Sequence, residues 1–259
     1  MPVFLYKNIN INYTSTGQGG VIVLLHGFLE NISMWKNIIP ILSKKNRIIA
    51  IDLLGHGDTG NLGYIHSMED QAEMIKSLLS SLKLRKFTLI GHSMGGYIAL
   101  AFADLYPNST KGFCLMNSTS YADSEEKKIN RDRAIIAVKQ NHKTFIKVSI
   151  PQLFSIENRK KLKSEIKLAT NECLKTSKQG VIASLEGMKT RIDRTHILQN
   201  SNLNILLILG ENDPVLDVDI HLKQVNNIKV KTAILPHGHM SHIESKNELI
   251  KTLDDFVKS

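Results

Sequence analysis

Short, uninterrupted apolar runs recur along this chain, and longer stretches with helical spacing separate them. The runs are 21–25 (VIVLL), 47–51 (RIIAI), 87–90 (FTLI), 112–116 (GFCLM), 204–209 (NILLIL) and 230–235 (VKTAIL). Most are apolar at consecutive positions rather than alternate ones, which suits parallel strands covered on both faces. Residues 3–6 and 10–14 are predicted to add an antiparallel edge hairpin. Between the strands, 67–82 opens with Ser67 and Asp70 three apart, a capping arrangement. Residues 94–106 are apolar nearly all round and stop at Pro107, so that helix is expected to be buried. A last helix is expected over about 246–257. Strand–helix alternation of this kind predicts an α/β fold with a mostly parallel sheet flanked by helices.

One segment departs from the rhythm. From 121 to 199 no strand is evident, while Leu162, Ile166, Cys173 and Leu174 follow helical spacing, as do Val181, Leu185 and Met188. Pro151 is expected to break the pattern between two helices. A structureless loop of this length is improbable, so the segment reads as a helical cap. The expected division is 1–120 for the first part of the core, 121–199 for the cap and 200–259 for the second part of the core.

Composition narrows the function classes. With 42% apolar and 22% charged residues, a chain of 259 residues builds an ordinary globular core. The longest apolar stretch, VIVLLHGFL, is too short to span a bilayer, and MPVFLYKNINI lacks the charged-then-apolar order of a signal peptide. The two cysteines, Cys114 in KGFCLMN and Cys173, suggest reduced thiols and a cytoplasmic protein. A net charge of +9 would suit nucleic acid or an acidic protein such as an acyl carrier. The lysines are scattered rather than striped and no recognition motif occurs, so nucleic-acid binding is not expected.

Three stretches carry chemistry. The first is LIGHSMGG, in which Ser93 lies between two glycines where a strand ends and a helix begins. G-x-S-x-G in that context is a nucleophile elbow, with the serine at a helix N-terminus that favours negative charge. An oxyanion needs two donors; the Met94 N–H follows the nucleophile, and the Phe28 N–H follows the strand end in LLHGF. The second is LGENDPVL, where Asp213 sits in a turn after a strand, in the right chain order for the acid of a triad. Glu211 and Asp217 are weaker choices. The third is LPHGHMSHIES, which offers His237, His239 and His242 as the base.

Taken together these motifs resemble the α/β-hydrolase superfamily, and most closely its small bacterial esterase-like members with a helical cap. LLHGF, IDLLGHGDT, GHSMGG, LGENDP and GHMSHIE occur in family order, with Thr59 where the family usually has serine. The resemblance implies that His239, directly after Gly238, is the base, and that Ser93, Asp213 and His239 form a catalytic triad. It implies a serine hydrolase that cleaves a small carboxylic ester through an acyl-enzyme, needing neither cofactor nor metal. The same triad also serves acyl-carrier or coenzyme A thioesters, C–C bond hydrolysis and perhydrolysis, and some members of the fold act as ligand receptors.

Two motifs read as decoys. GHGDTG at 55–60 satisfies G-x-G-x-x-G, yet no helix opens at Gly60 and the turn is not the first after a strand. HGHMSH at 237–242 resembles a zinc cluster, but too little chain follows to complete the ligand set. Haloalkane dehalogenases and epoxide hydrolases of this fold use aspartate at the elbow, so Ser93 argues against both.

Overall fold

The computed structural model describes residues 3–200 and 202–258. Eight strands form one sheet: β1 (Val3–Tyr6), β2 (Ile9–Thr16), β3 (Gly20–Leu25), β4 (Asn46–Ile51), β5 (Phe87–His92), β6 (Thr110–Met116), β7 (Asn204–Gly210) and β8 (Lys231–Leu235). Their order is β1-β2-β4-β3-β5-β6-β7-β8. The expected edge hairpin is present: β1 pairs antiparallel with β2, and β2 antiparallel with β4. Its turn, Lys7-Asn8, has positive φ at both residues, the conformation that matches strand twist. The other pairings are parallel.

The helices are α1 (Ile39–Leu42), α2 (Met68–Ser81), α3 (Met94–Leu105), α4 (Glu125–Gln152), α5 (Ile156–Lys161), α6 (Lys163–Cys173), α7 (Lys178–Lys189), α8 (Thr195–Leu198), α9 (Val218–Leu222), α10 (Ser241–Glu244) and α11 (Lys246–Lys258). The apolar runs are continuous because both sheet faces are covered. Ile22, Leu24, Ile48, Ile90 and Cys114 pack with Trp35, Leu42, Leu253 and Phe256 on one face. Val23, Leu25, Ile49, Leu89 and Phe113 pack with residues of α2 and α3 on the other. Ser67 caps α2 as its spacing predicts, accepting the Asp70 N–H at 3.0 Å.

Between β6 and β7 every element is helical, α4 to α8. Ile135, Val138, Ile150, Ile166 and Leu185 of this segment join the core cluster that reaches α3 and the sheet. The break expected at Pro151 is present, since α4 ends at Gln152 and α5 opens at Ile156, and a second interruption precedes it. The long helix α4 is interrupted at Asn141 (φ −155°, ψ 91°), whose side chain recaps the chain by accepting the Thr144 N–H at 3.0 Å. Pro151 lies in the last turn, where it removes one ladder hydrogen bond, and the helix stops one residue later. Both cysteines are free and buried. Among the described residues no helix is long and apolar enough to cross a membrane.

Candidate active site

The residues singled out by sequence follow the carboxyl ends of parallel strands, the edge where open α/β sheets bind ligands. Ser93 is the hinge between β5 and α3. Its backbone is left-handed, φ 47° and ψ −112°, a conformation that costs a non-glycine residue about 1–3 kcal/mol. Neighbouring groups hold it there: the Ser93 N–H donates to the Met116 carbonyl (2.9 Å), and the Ser118 hydroxyl donates to the Ser93 carbonyl (2.8 Å). The flanking glycines are steric necessities. A Cβ on Gly91 would lie 2.2 Å from the Gly95 carbonyl oxygen, and one on Gly95 would lie 2.2 Å from that of Leu25. Ser93 itself is half-buried.

The loop after β3 is built around its backbone donors. The Gly27 N–H donates to Glu30 Oε2 (2.7 Å), and the Leu29 N–H to His56 Nε2 (3.1 Å). Leu29 adopts φ 68°. Among the described residues no acceptor engages the N–H of Phe28 or of Met94. The Phe28 N–H is thus left without an acceptor between the bonded N–H groups of Gly27 and Leu29, and the Met94 N–H is one of the free donors at the start of α3. His56 belongs to the GHGDTG turn, which thus braces the loop after β3. Thr59 accepts the Asn12 N–H at 2.9 Å, a bond a serine hydroxyl makes equally well.

Asp213 and His239 meet from the loops after β7 and β8, with His239 Nδ1 2.8 Å from Asp213 Oδ2. The Asp213 side chain is fully buried. Its Oδ1 accepts the N–H groups of Val215 (2.8 Å) and Leu216 (3.1 Å), and Oδ2 also accepts from Asn117 Nδ2 (3.1 Å). Burial pushes the Asp213 carboxyl up, but the His239 imidazole and these donors outweigh it and hold it below the usual range. With Asp213 ionised, the 2.8 Å hydrogen bond has His239 Nδ1 as its donor, which turns Nε2 away from the carboxylate.

The alternatives have other tasks. Glu211 is exposed, and Asp217 caps α9 by accepting the Ile220 N–H (2.9 Å). His237 is half-exposed. His242 is buried, its Nε2 3.5 Å from Glu30 Oε1, and burial pulls its pKa down to about 4. The histidines of HGHMSH thus face different partners.

Sequence reasoning missed the residues that tie these loops together. Asn117, in left-handed backbone after β6 (φ 46°), donates to Asp213 and accepts the Ser241 hydroxyl at 2.6 Å. His92 and Glu30 connect the elbow to the loop after β3 at 2.6 Å. His92 lies inside the GHSMG motif and Glu30 two residues beyond LLHGF, but nothing local signals that they pair. A cavity of about 500 Å³ between α6 and the loop after β3 reaches Glu30, Met240 and His242 without Ser93 in its lining.

The mostly parallel sheet, with a strained serine between β5 and α3 and a buried acid–histidine pair after β7 and β8, is the α/β-hydrolase fold. Residues 20–135 match the family model described as alpha/beta hydrolase fold. An esterase from Thermogutta terrifontis has the same fold, with a TM-score of 0.91, 28% identity, and coverage of 96% of this chain and 93% of that one. A candidate 2-succinyl-6-hydroxy-2,4-cyclohexadiene-1-carboxylate synthase from Bacillus subtilis is 29% identical over 92% of this chain and 90% of its own. The dihydrolipoyllysine-residue acetyltransferase component of an acetoin-cleaving system from Pseudomonas putida is 27% identical over 93% of this chain; the chain spans 65% of that protein's length. The chain has the α/β-hydrolase fold.

Proposed function

We propose that this protein is a serine hydrolase that cleaves small carboxylic esters through an acyl-enzyme. Ser93 attacks the carbonyl, and His239 takes the serine proton and passes it to the leaving group. Asp213 orients the imidazole, and the N–H groups of Phe28 and Met94 receive the oxyanion. The observation that carries this reading is the left-handed Ser93 at the β5–α3 junction, on the same sheet edge as the 2.8 Å Asp213–His239 pair. The relatives carry several chemistries on one fold, so likeness to them does not choose the bond that is cleaved. Thioester hydrolysis, C–C hydrolysis, perhydrolysis and a receptor role are the competing readings, and the helical insertion is the part proposed to select among substrates.

A fluorophosphonate probe should form an adduct that mass spectrometry finds on Ser93. The purified protein should also turn over p-nitrophenyl butyrate faster than acyl thioesters of matched chain length. An adduct elsewhere, or full activity in Ser93→Ala, would overturn the mechanism. Thioester preference would shift the substrate class, and tight ligand binding without turnover would favour the receptor.

A further inference from the structure

Buried histidines report their protonation through the polarity of their partners. A neutral imidazole has one N–H and one lone pair, while an imidazolium has two N–H groups and no lone pair. His26 sits between one donor and one acceptor: Nε2 accepts the Leu53 N–H (3.0 Å) and Nδ1 faces the Gly27 carbonyl (2.8 Å). His56 does the same, accepting the Leu29 N–H (3.1 Å) and facing the Leu54 carbonyl (3.0 Å). Both rings are therefore neutral.

His92 is different. Its Nε2 lies 2.9 Å from the His239 carbonyl oxygen, which can only accept. Its Nδ1 lies 2.6 Å from Glu30 Oε2, which already accepts the Gly27 N–H at 2.7 Å. The His92 side chain is 2% exposed, so water does not replace either partner. With Glu30 ionised, as its acceptance of both the Gly27 N–H and the short His92 contact favours, both nitrogens donate. With no lone pair left, His92 is also unsuited to ligate a metal, although Glu30, His92 and His242 bring three donor atoms within 4.8 Å of one another.

We infer that Glu30 and His92 form a buried ion pair that positions the base. The His92 imidazolium grips the backbone carbonyl of His239, and the Glu30 carboxylate grips the Gly27 N–H of the loop that presents Phe28. Because His92 precedes Ser93, a single pair fixes nucleophile, base and oxyanion donor relative to one another. This role rests on the serine-hydrolase reading above; the charge state does not. The surroundings agree with it. Burial works against charge on both groups, yet Glu30 raises the His92 pKa overall, and His92 lowers that of Glu30. Asp213 adds to the pull on His92.

Side-chain ¹H–¹⁵N correlation spectra of histidine-labelled protein test the pair directly, with His92 assigned by its absence in His92→Gln. At pH 8, His92 should show two protonated ring nitrogens, and Glu30→Gln should convert it to a neutral ring. A neutral His92 in the wild type at pH 8 overturns the inference. In ester turnover, Glu30→Gln should lower kcat about tenfold or more with KM within about twofold, the loss of charge-assisted hydrogen bonds. Glu30→Asp should recover part of the rate. A wild-type kcat in Glu30→Gln also overturns the positioning role. If Glu30→Gln does not fold, the wild-type spectrum and Glu30→Asp decide. Failure of the hydrolase reading itself is seen separately, as a wild type that fluorophosphonate does not label.

Discussion

His239 and His242 are three residues apart in one short string, yet the structure gives them opposite surroundings. His239 faces an ionised carboxylate held by four donors, whereas His242 faces Glu30 at 3.5 Å without a hydrogen bond. Its Nδ1 has no hydrogen-bond partner among the described residues. His239→Ala should therefore lower kcat by about a thousandfold or more, because triad members fail as a unit. His242→Ala should cost about tenfold or less, the scale of one weak polar contact. Measuring kcat for both variants on one ester separates them. Loss of the acylation burst in His242→Ala with its retention in His239→Ala would move the base by three residues.

At the scale of elements, the helical insertion is bonded to the base loop. Glu244, in α10, accepts three hydrogen bonds on Oε2: from the Ser155 N–H (3.0 Å), the Ser155 hydroxyl (2.8 Å) and Asn158 Nδ2 (2.9 Å). The His239 N–H donates in turn to the Leu153 carbonyl (3.0 Å). The segment between α4 and α5 is thereby clamped to the turn that carries the candidate base. Glu244→Ala should destabilise the fold by about 1.5–3 kcal/mol, the range for bonds to a charged group. Amide exchange at Ser155 and His239 should accelerate more than exchange in the central strands. Unchanged exchange at both amides would mean that the clamp is not a restraint. The helical nature of 121–199 was legible from its spacing and from the absence of strand runs. The kink at Asn141 was not, because a residue that both ends one helix and caps the next resembles any polar position on an exposed face.

For the whole molecule, the buried histidines set a direction of pH dependence. Burial pulls His56 down to about 3 and His66, His221 and His242 down to about 4. In the unfolded chain these groups take up protons near about pH 6.5. Between that value and their folded pKa values the unfolded state holds more protons, so stability falls as pH falls. The slope reaches about 1.4 kcal/mol per pH unit for each group fully inside the window. Asp213, held low in the fold, adds a further loss at still lower pH as it protonates. His92, raised in the fold, acts with opposite sign and only above its unfolded pKa. The melting midpoint should drop by about 5 °C or more from pH 7 to pH 4.5. A flat midpoint over that range would contradict the neutral, buried state of these rings.

Local patterning was enough to assign the strands, the strand–helix junction at Ser93 and the run of helices between β6 and β7. Apolar period, glycine placement and turn chemistry act between near neighbours in the chain, so LIGHSMGG announces the turn even though Met116, Ser118 and Leu25 hold and shape it from a distance. The union of Asp213 with His239 was partly legible, since both follow strands of a parallel sheet whose ends share one edge. The bracing was not. Glu30 and His92 are 62 residues apart, Asn117 and Asp213 are 96 apart, and Ser155 and Glu244 are 89 apart. Strand order decides which loops become neighbours, and a buried polar group takes its partner from that neighbourhood rather than from its own segment. The sequence by itself therefore determined the fold and named the candidate triad. Only the tertiary structure decided which polar side chains hold that triad, and with what charge.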